Sequence, residues 1–114
     1  MKVAVIGTRG CPIGNLKRFL PDNTTELITG YLNSADFFVC KYAIAHRLDY
    51  RRIIPENKKL KDYRAVAEFI RSIIGEADKV LIFWDGRSRK TEAVIRECLS
   101  IKKDFVVHTI FKKS

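Results

Sequence analysis

The sequence lacks the features that mark membrane, secreted and metal-binding proteins. No apolar run approaches the ~18 residues of a membrane-spanning helix. The opening MKVAVIG has too short an apolar segment for a signal peptide, and no cleavage site follows it, so we expect a cytoplasmic protein with no membrane partner. The 3 cysteines lie far apart, no CxxC pair occurs and only 2 histidines are present, so we expect no metal site and no cofactor.

Familiar catalytic and nucleotide motifs are also missing. Neither GxGxxG nor a Walker A sequence occurs, because Gly7, Gly10 and Gly14 have other spacings. No pair of carboxylates stands out for acid–base chemistry, and Cys11 has no histidine close to it in sequence. We therefore predict no catalytic residues and interpret His46 and His108 as structural.

The composition describes a basic globular domain. Hydrophobic residues make up 46% of the 114 residues, which suits one packed domain over residues 1–114. The sequence has 22 Lys and Arg residues and 13 acidic residues. The resulting net charge of +9 favours anionic partners. The densest basic stretch, residues 47–64, is interpreted as either a solvated surface or a nucleic-acid contact.

Apolar runs alternate with helical patterns along the chain, which predicts an α/β fold. We expect a three-layer, Rossmann-like domain whose five-stranded parallel sheet has the order 3-2-1-4-5 and helices on both faces. The predicted strands are residues 2–6, 24–29, 50–54, 79–84 and 104–111. The predicted helices are a short one at 16–20 and longer ones at 35–46, 63–77 and 91–101, the last with Leu99 and Ile101 on its buried side.

Three polar loops follow strands 1, 2 and 4, which this order makes neighbours. Their carboxyl ends meet where the winding reverses, the usual place for a ligand in such sheets. The loop after strand 4 brings Arg87, Arg89 and Lys90 to the start of a helix, where unpaired N–H groups favour anions. We therefore predict one anion-binding site at this edge, with Trp84 either stacking on a base or packing at the sheet end.

The predicted ligand-binding residues come from all three loops. Those expected to hold phosphate or lie beside it are Gly7, Thr8, Arg9, Gly30, Ser34, Gly86, Arg87, Ser88 and Thr91. Asp36 and Asp85 would repel phosphate, so we expect them to meet hydroxyl groups or a base edge, unless Asp36 only complements its helix dipole and Asp85 only caps a turn.

Specific motif residues lie in the same three segments. The first is Gly7-Thr8-Arg9, which matches G-[ST]-R. The second, residues 29–43, matches part of [ST]-G-G-A-x-G-V-D-x-x-A-x-x-Y-A, and the third, residues 83–91, matches F-W-D-G-x-S-R-G-T at about eight of nine positions. The sequence thereby resembles the SLOG superfamily (Smf/DNA-processing protein A and Lonely Guy related), in particular its small stand-alone YspA-like bacterial members.

The resemblance implies a Rossmann-like sheet that binds a nucleotide or a nucleotide-derived ligand. The chain departs from the pattern at Tyr31, Ser34 and Lys90, each of which replaces a glycine. Residues 69–70, Phe and Ile, stand where relatives often carry Arg-Asn. In the Lonely Guy phosphoribohydrolases a glutamate follows the motif threonine by three residues, and here that position is Val94.

We therefore expect a nucleotide-binding or sensing domain rather than an enzyme. Two alternatives remain: a phosphoribohydrolase of Lonely Guy type, and a nucleic-acid-binding module of DNA-processing type. The expected partner is a nucleotide-like small molecule, and the apolar helix faces also suit a homodimer.

Overall fold

Five parallel strands form the centre of the computed structural model, which describes residues 1–7, 16–30, 35–53 and 63–109. The strands are β1 (Lys2–Gly7), β2 (Glu26–Thr29), β3 (Asp49–Arg52), β4 (Lys79–Trp84) and β5 (Phe105–Thr109). The helices among these residues are α1 (Ala35–Ala45), α2 (Tyr63–Gly75) and α3 (Arg89–Ser100), together with a 3-10 turn at Leu16–Arg18.

The sheet order is β3-β2-β1-β4-β5, as predicted. Central β1 pairs in parallel with both β2 and β4, for example Val3 with Leu27 and Gly7 with Phe83. The winding therefore reverses between β1 and β4, and this switch point is confirmed.

Helices cover both faces of the sheet, which confirms the three-layer architecture. On one face, α2 and α3 pack against β1, β2 and β4 through a core that includes Ile70, Ile73 and Val94. On the other, α1 and the 3-10 turn bury Val39, Ala43 and Leu16. The strands β1 and β4 are almost wholly buried because they have strands on both sides and helices on both faces.

The edge strand β3 differs from the apolar strand predicted at 50–54. It spans Asp49–Arg52, and all four of its residues are exposed. Arg51 pairs with Glu26 of β2 and with Glu76 just after α2, at 3.2 Å in each case. Charged side chains protect a sheet edge from pairing with another strand, so this edge needs no apolar run.

Other boundaries also depart from expectation. The predicted helix at 16–20 contributes only the 3-10 turn, so the residues described contain three α-helices rather than four. At the end of α3, Leu99 and Ile101 are 62% and 43% exposed rather than buried. Within the described ranges, no helix is long and apolar enough to cross a membrane.

Candidate functional site

The predicted site lies where β2, β1 and β4 end at the carboxyl edge of the sheet. Gly7 ends β1 and pairs with Phe83, and Gly30 follows the end of β2. The sheet order therefore brings the ends of the three strands together, as the sequence predicted. Thr8, Arg9 and Ser34 lie outside the described residues, and Asp36 lies in the first turn of α1.

The loop after β4 is folded around the carboxylate of Asp85. Its Oδ1 accepts hydrogen bonds from the backbone N–H groups of Arg87 and Ser88, each at 2.8 Å. Aspartate commonly stabilises a turn in this way, by accepting from the backbone two residues on. The capping role considered for Asp85 is thus confirmed, and these two N–H groups are occupied by the protein's own carboxylate.

Trp84 holds the same loop from the other side. Its indole Nε1 donates to the carbonyl oxygen of Ser88 at 3.1 Å, while its half-buried ring packs against the core beneath α2 and α3. A partly buried tryptophan usually pairs its N–H group, and here the acceptor belongs to the loop. Trp84 thus has the packing role considered for it at the sheet end, and its hydrogen bond positions the loop.

Ser88 is the N-cap of α3. Its Oγ accepts from the Thr91 backbone N–H at 3.3 Å, and the Thr91 hydroxyl donates to the same oxygen at 3.2 Å. Thr91 is only 2% exposed, so it contributes to this site by fixing Ser88. This arrangement satisfies one of the backbone donors that a helix start leaves unpaired.

Two further donors remain at the start of α3. Among the described residues, no acceptor is present for the backbone N–H groups of Arg89 and Lys90. Both residues are exposed, as is Arg87, so three exposed cationic residues lie within four positions at this helix start. Unpaired N–H groups at a helix start, with the positive end of the helix dipole, form an anion-binding arrangement.

Two glycines of the predicted site have different structural requirements. Gly86 has φ +82°, a conformation that favours glycine, and no atom of the described residues comes within 4 Å of a Cβ built there. Gly30 is buried, and a Cβ built on it would lie 2.4 Å from Ile73 Cδ1 of α2. The absence of a side chain at Gly30 therefore lets α2 pack closely against the end of β2.

Two buried polar atoms in the described part of the chain have no hydrogen-bond partner: Thr29 Oγ1 and His108 Nε2. Both residues lie on the face that carries α1, but β1 and β4 separate their strands. The His108 ring packs against Phe19 and Phe83, with centroid distances of 4.4 Å and 5.4 Å. The His108 ring is thus part of an aromatic cluster, whereas Thr29 lies at the end of β2.

The described thiols give no sign of a reactive centre. Cys98 is buried in α3, and burial raises the pKa of its thiol to about 11, which suppresses the nucleophilic thiolate. Cys40 is half-buried on α1. His46 stacks on Tyr42, and no group of three metal-ligating side chains occurs in the part of the chain that the structure describes.

The structure adds one positioning role and one buried, unpaired hydroxyl that the sequence did not assign. Trp84 binds the loop through Ser88, and Thr29 presents a buried, unpaired hydroxyl at the end of β2. The one sequence signal that could have indicated these two residues is their position at strand ends beside polar loops.

Comparison of the chain with protein-family models, curated proteins and solved structures gives no match. The SLOG resemblance therefore rests on the motif residues alone.

Proposed function

We propose that the protein binds or senses a nucleotide or nucleotide-derived ligand whose phosphate lies at the start of α3. The observation that carries the proposal is the pair of unpaired N–H groups on Arg89 and Lys90, beside the switch point between β1 and β4. Ligands of open α/β sheets bind at this crevice, and a helix start there favours phosphate.

Hydrogen bonds within the protein fix the conformation of this loop. Asp85, Ser88 and the Trp84 indole fix the backbone from residue 84 to the first turn of α3. A site whose donors are held in place binds with a smaller loss of conformational entropy on association. The three exposed cations at residues 87, 89 and 90 supply charge for a phosphate.

Two observations favour binding over hydrolysis of a nucleotide. Val94, at the position of the Lonely Guy glutamate, is fully buried in the core. The nearest glutamate in sequence, Glu92, accepts a hydrogen bond from Arg96 at 2.8 Å. Neither arrangement presents a carboxylate for acid–base chemistry beside the predicted phosphate.

The proposal is tested by calorimetric titration of the protein with AMP, ADP, ADP-ribose and cyclic AMP. We expect saturable binding of at least one of them, weakened about tenfold or more by Arg89→Ala, because a hydrogen bond to a charged group contributes about 1.5–3 kcal/mol. Lys2→Ala is the matched control, since Lys2 is an exposed cation at the opposite edge of the sheet.

Three results would count against the proposal. No heat from any of the four ligands at millimolar concentration is the first, and equal weakening by Lys2→Ala and Arg89→Ala is the second. The third is release of free base on incubation with AMP, which would restore the phosphoribohydrolase alternative. For the nucleic-acid alternative, single-stranded DNA at low salt is the probe, because binding of that kind must fall steeply as salt rises.

A further inference from the structure

A groove runs between α2 and α3 on the side of these helices that faces away from the sheet. Its wider part is a cavity of about 270 Å³, lined on α3 by Arg89, Glu92, Ala93 and Arg96. A second cavity, of about 160 Å³, shares Ala93 and Arg96 with the first and continues to Val66 and Ala67 of α2. We call the two cavities together the α2–α3 groove.

The groove begins at the candidate phosphate site. The side chain of Arg89 lines the wider cavity, and its backbone N–H group is one of the two donors without an acceptor among the described residues. Arg96 lies roughly 10 Å further along the helix axis. Beyond it Glu97, which lines the smaller cavity, pairs with Arg71 of α2, so an ion pair joins the two helices at that end. A ligand whose phosphate lies at the start of α3 can therefore extend directly into the groove.

The floor of the groove consists of small and apolar side chains. Val66 and Ala67 of α2 line it together with Ala93 of α3, which is only 9% exposed. Protein interiors are normally filled to high density, and small residues at these positions leave space between the two helices. A flat, uncharged ring fits such a floor better than a charged group does, because a charged group would lose its hydration there.

Charge distinguishes the groove from the start of α3. At the helix start the exposed residues 87, 89 and 90 are all cationic. In the groove Arg96 pairs with Glu92, and Arg71 pairs with Glu97, so each of these guanidinium groups has a carboxylate beside it. An anion is therefore drawn to the helix start, whereas the groove suits the uncharged part of the same ligand.

Arg96 provides a surface on which a base can stack. Its Nη2 donates a hydrogen bond to Glu92 Oε1 at 2.8 Å, and its side chain is 67% exposed. Hydrogen bonds of a guanidinium lie in its plane and leave its flat faces open, and arginine stacks on aromatic rings through those faces. Glu92 is thus a positioning residue that holds the Arg96 guanidinium at the edge of the groove.

We infer that the α2–α3 groove binds the nucleoside part of the ligand, with the base stacked on the guanidinium of Arg96. The inference rests on the proposed function for the place of the phosphate, and it adds where the rest of the ligand lies. Small-molecule sites usually have volumes of about 300–1,000 Å³, and the groove is near the lower end of this range. It therefore accommodates one nucleoside, and the second ribose of ADP-ribose would lie outside it.

Calorimetric titration of the full chain with AMP and with ribose 5-phosphate, which has no base, separates the groove from the phosphate site. We expect AMP to bind more tightly than ribose 5-phosphate. Arg96→Ala should weaken AMP binding about fivefold, a factor typical of stacking on a cation, and should leave ribose 5-phosphate binding unchanged. Arg96→Lys keeps the charge but not the flat guanidinium, so it should not restore the affinity for AMP.

Arg64→Ala is the matched control. Arg64 forms the same kind of ion pair one helical turn apart, with Glu68, but it lines neither cavity. Amide chemical shifts of the ¹⁵N-labelled wild-type protein give a second measurement that needs no variant. Adenosine and AMP should each shift the Val66 and Ala67 amide signals on α2, whereas ribose 5-phosphate should leave them unchanged. Thermal unfolding shows whether each variant is folded.

The outcomes separate this inference from the proposed function. AMP binding that is weakened by Arg89→Ala and not by Arg96→Ala overturns the inference and leaves the proposed function intact, as does equal affinity for AMP and ribose 5-phosphate. Equal weakening by Arg64→Ala and Arg96→Ala also overturns it, because the effect would then be one of surface charge. Adenosine shifts at Val66 and Ala67 without any binding of ribose 5-phosphate would support the groove and contradict the phosphate site. Absence of binding by all three compounds at millimolar concentration overturns both.

Discussion

Replacing Gly30 with alanine separates two explanations for this glycine, which follows the end of β2 at the carboxyl edge of the sheet. The resemblance to nucleotide-binding proteins places it beside a phosphate. The structure gives another reason, because a Cβ at this position would lie 2.4 Å from Ile73 Cδ1 and 3.4 Å from Ile73 Cγ1. The nearer atom is the end of the Ile73 side chain, and because Ile73 is fully buried, the core around it must make room for that end to turn away.

The size of the effect follows from this contact. Adding a methyl group to a packed core costs about 1–3 kcal/mol, and we expect about 2 kcal/mol for Gly30→Ala. Ile73→Val removes the Cδ1 methyl and alone costs about 1 kcal/mol. In the double variant the added methyl group occupies the space that Cδ1 leaves, so we expect the free energy of unfolding to fall by only about 1 kcal/mol. If the two changes acted independently, it would fall by roughly 3 kcal/mol.

Urea denaturation of the wild-type protein, both single variants and the double variant measures this coupling directly. For a domain of this size, 1 kcal/mol corresponds to about 4 °C in Tm, so thermal unfolding gives a second measure. Gly75→Ala is the matched control, since nothing in the described structure lies within 4 Å of a Cβ there. At this last residue of α2, alanine is expected to be neutral or to stabilise by up to about 1 kcal/mol.

Two results would refute the packing explanation. Gly30→Ala without effect on the free energy of unfolding would show that α2 does not pack closely here. Strictly additive losses in the double variant would show that Ile73 is not the obstacle.

Three further predictions concern the α3 loop and helix. Ser88→Ala should lower the free energy of unfolding by about 1 kcal/mol through loss of the N-cap, and Ser88→Asp should retain most of it; urea denaturation decides, and equal loss in both would argue against capping. Gly86→Ala should cost about 1 kcal/mol in the same assay because its φ is +82°, with Gly86→Asn costing less, and a neutral alanine variant would contradict that conformation. Burial raises the pKa of the Cys98 thiol from 9.0 to about 11, so this thiol ionises at lower pH in the unfolded chain than in the folded protein. Between these pH values the free energy of unfolding should therefore fall by about 2 kcal/mol more in the wild-type protein than in Cys98→Ala. Parallel pH profiles of the free energy of unfolding in the two proteins would contradict the shift.

The central part of the fold follows from local sequence patterns. The strands β1 and β4 are continuous apolar runs, because a parallel strand covered by helices on both faces needs apolar side chains on both sides. These two runs and the alternation with helices were enough to predict the sheet order. The position of the ligand edge followed from that order rather than from any single residue.

Edge elements were harder to predict because their surroundings are set by tertiary structure. The strand β3 is exposed along its length and held by the ion pairs of Arg51, which no local pattern specifies. Likewise, the spacing of apolar residues in α1 and α3 does not reveal that Phe38 and Leu99 face outward. When the apolar side of a helix is wider than the surface it packs against, the sequence does not show which of its apolar residues are buried.

The site was predicted in part. Of the two roles considered for Asp85, the turn cap is the one that the structure shows, whereas α3 begins at Arg89, two residues before the predicted start at Thr91. Loop chemistry did not indicate that the Thr91 hydroxyl donates a hydrogen bond to Ser88, or that the close approach of Ile73 favours a glycine at position 30. These are contacts between neighbouring groups in space, and residue type alone does not encode them.

The central claim is that an anion binds at the backbone N–H groups that begin α3. Titration of ¹⁵N-labelled protein with AMP, followed by amide chemical shifts, tests it most directly. We expect the Arg89 and Lys90 amide signals to shift in a saturable way, while the Lys102 and Lys103 amides at the opposite end of α3 stay unchanged. Saturating shifts confined to residues away from the carboxyl edge, or no shift of the Arg89 and Lys90 amides with any nucleotide tested, would contradict the claim.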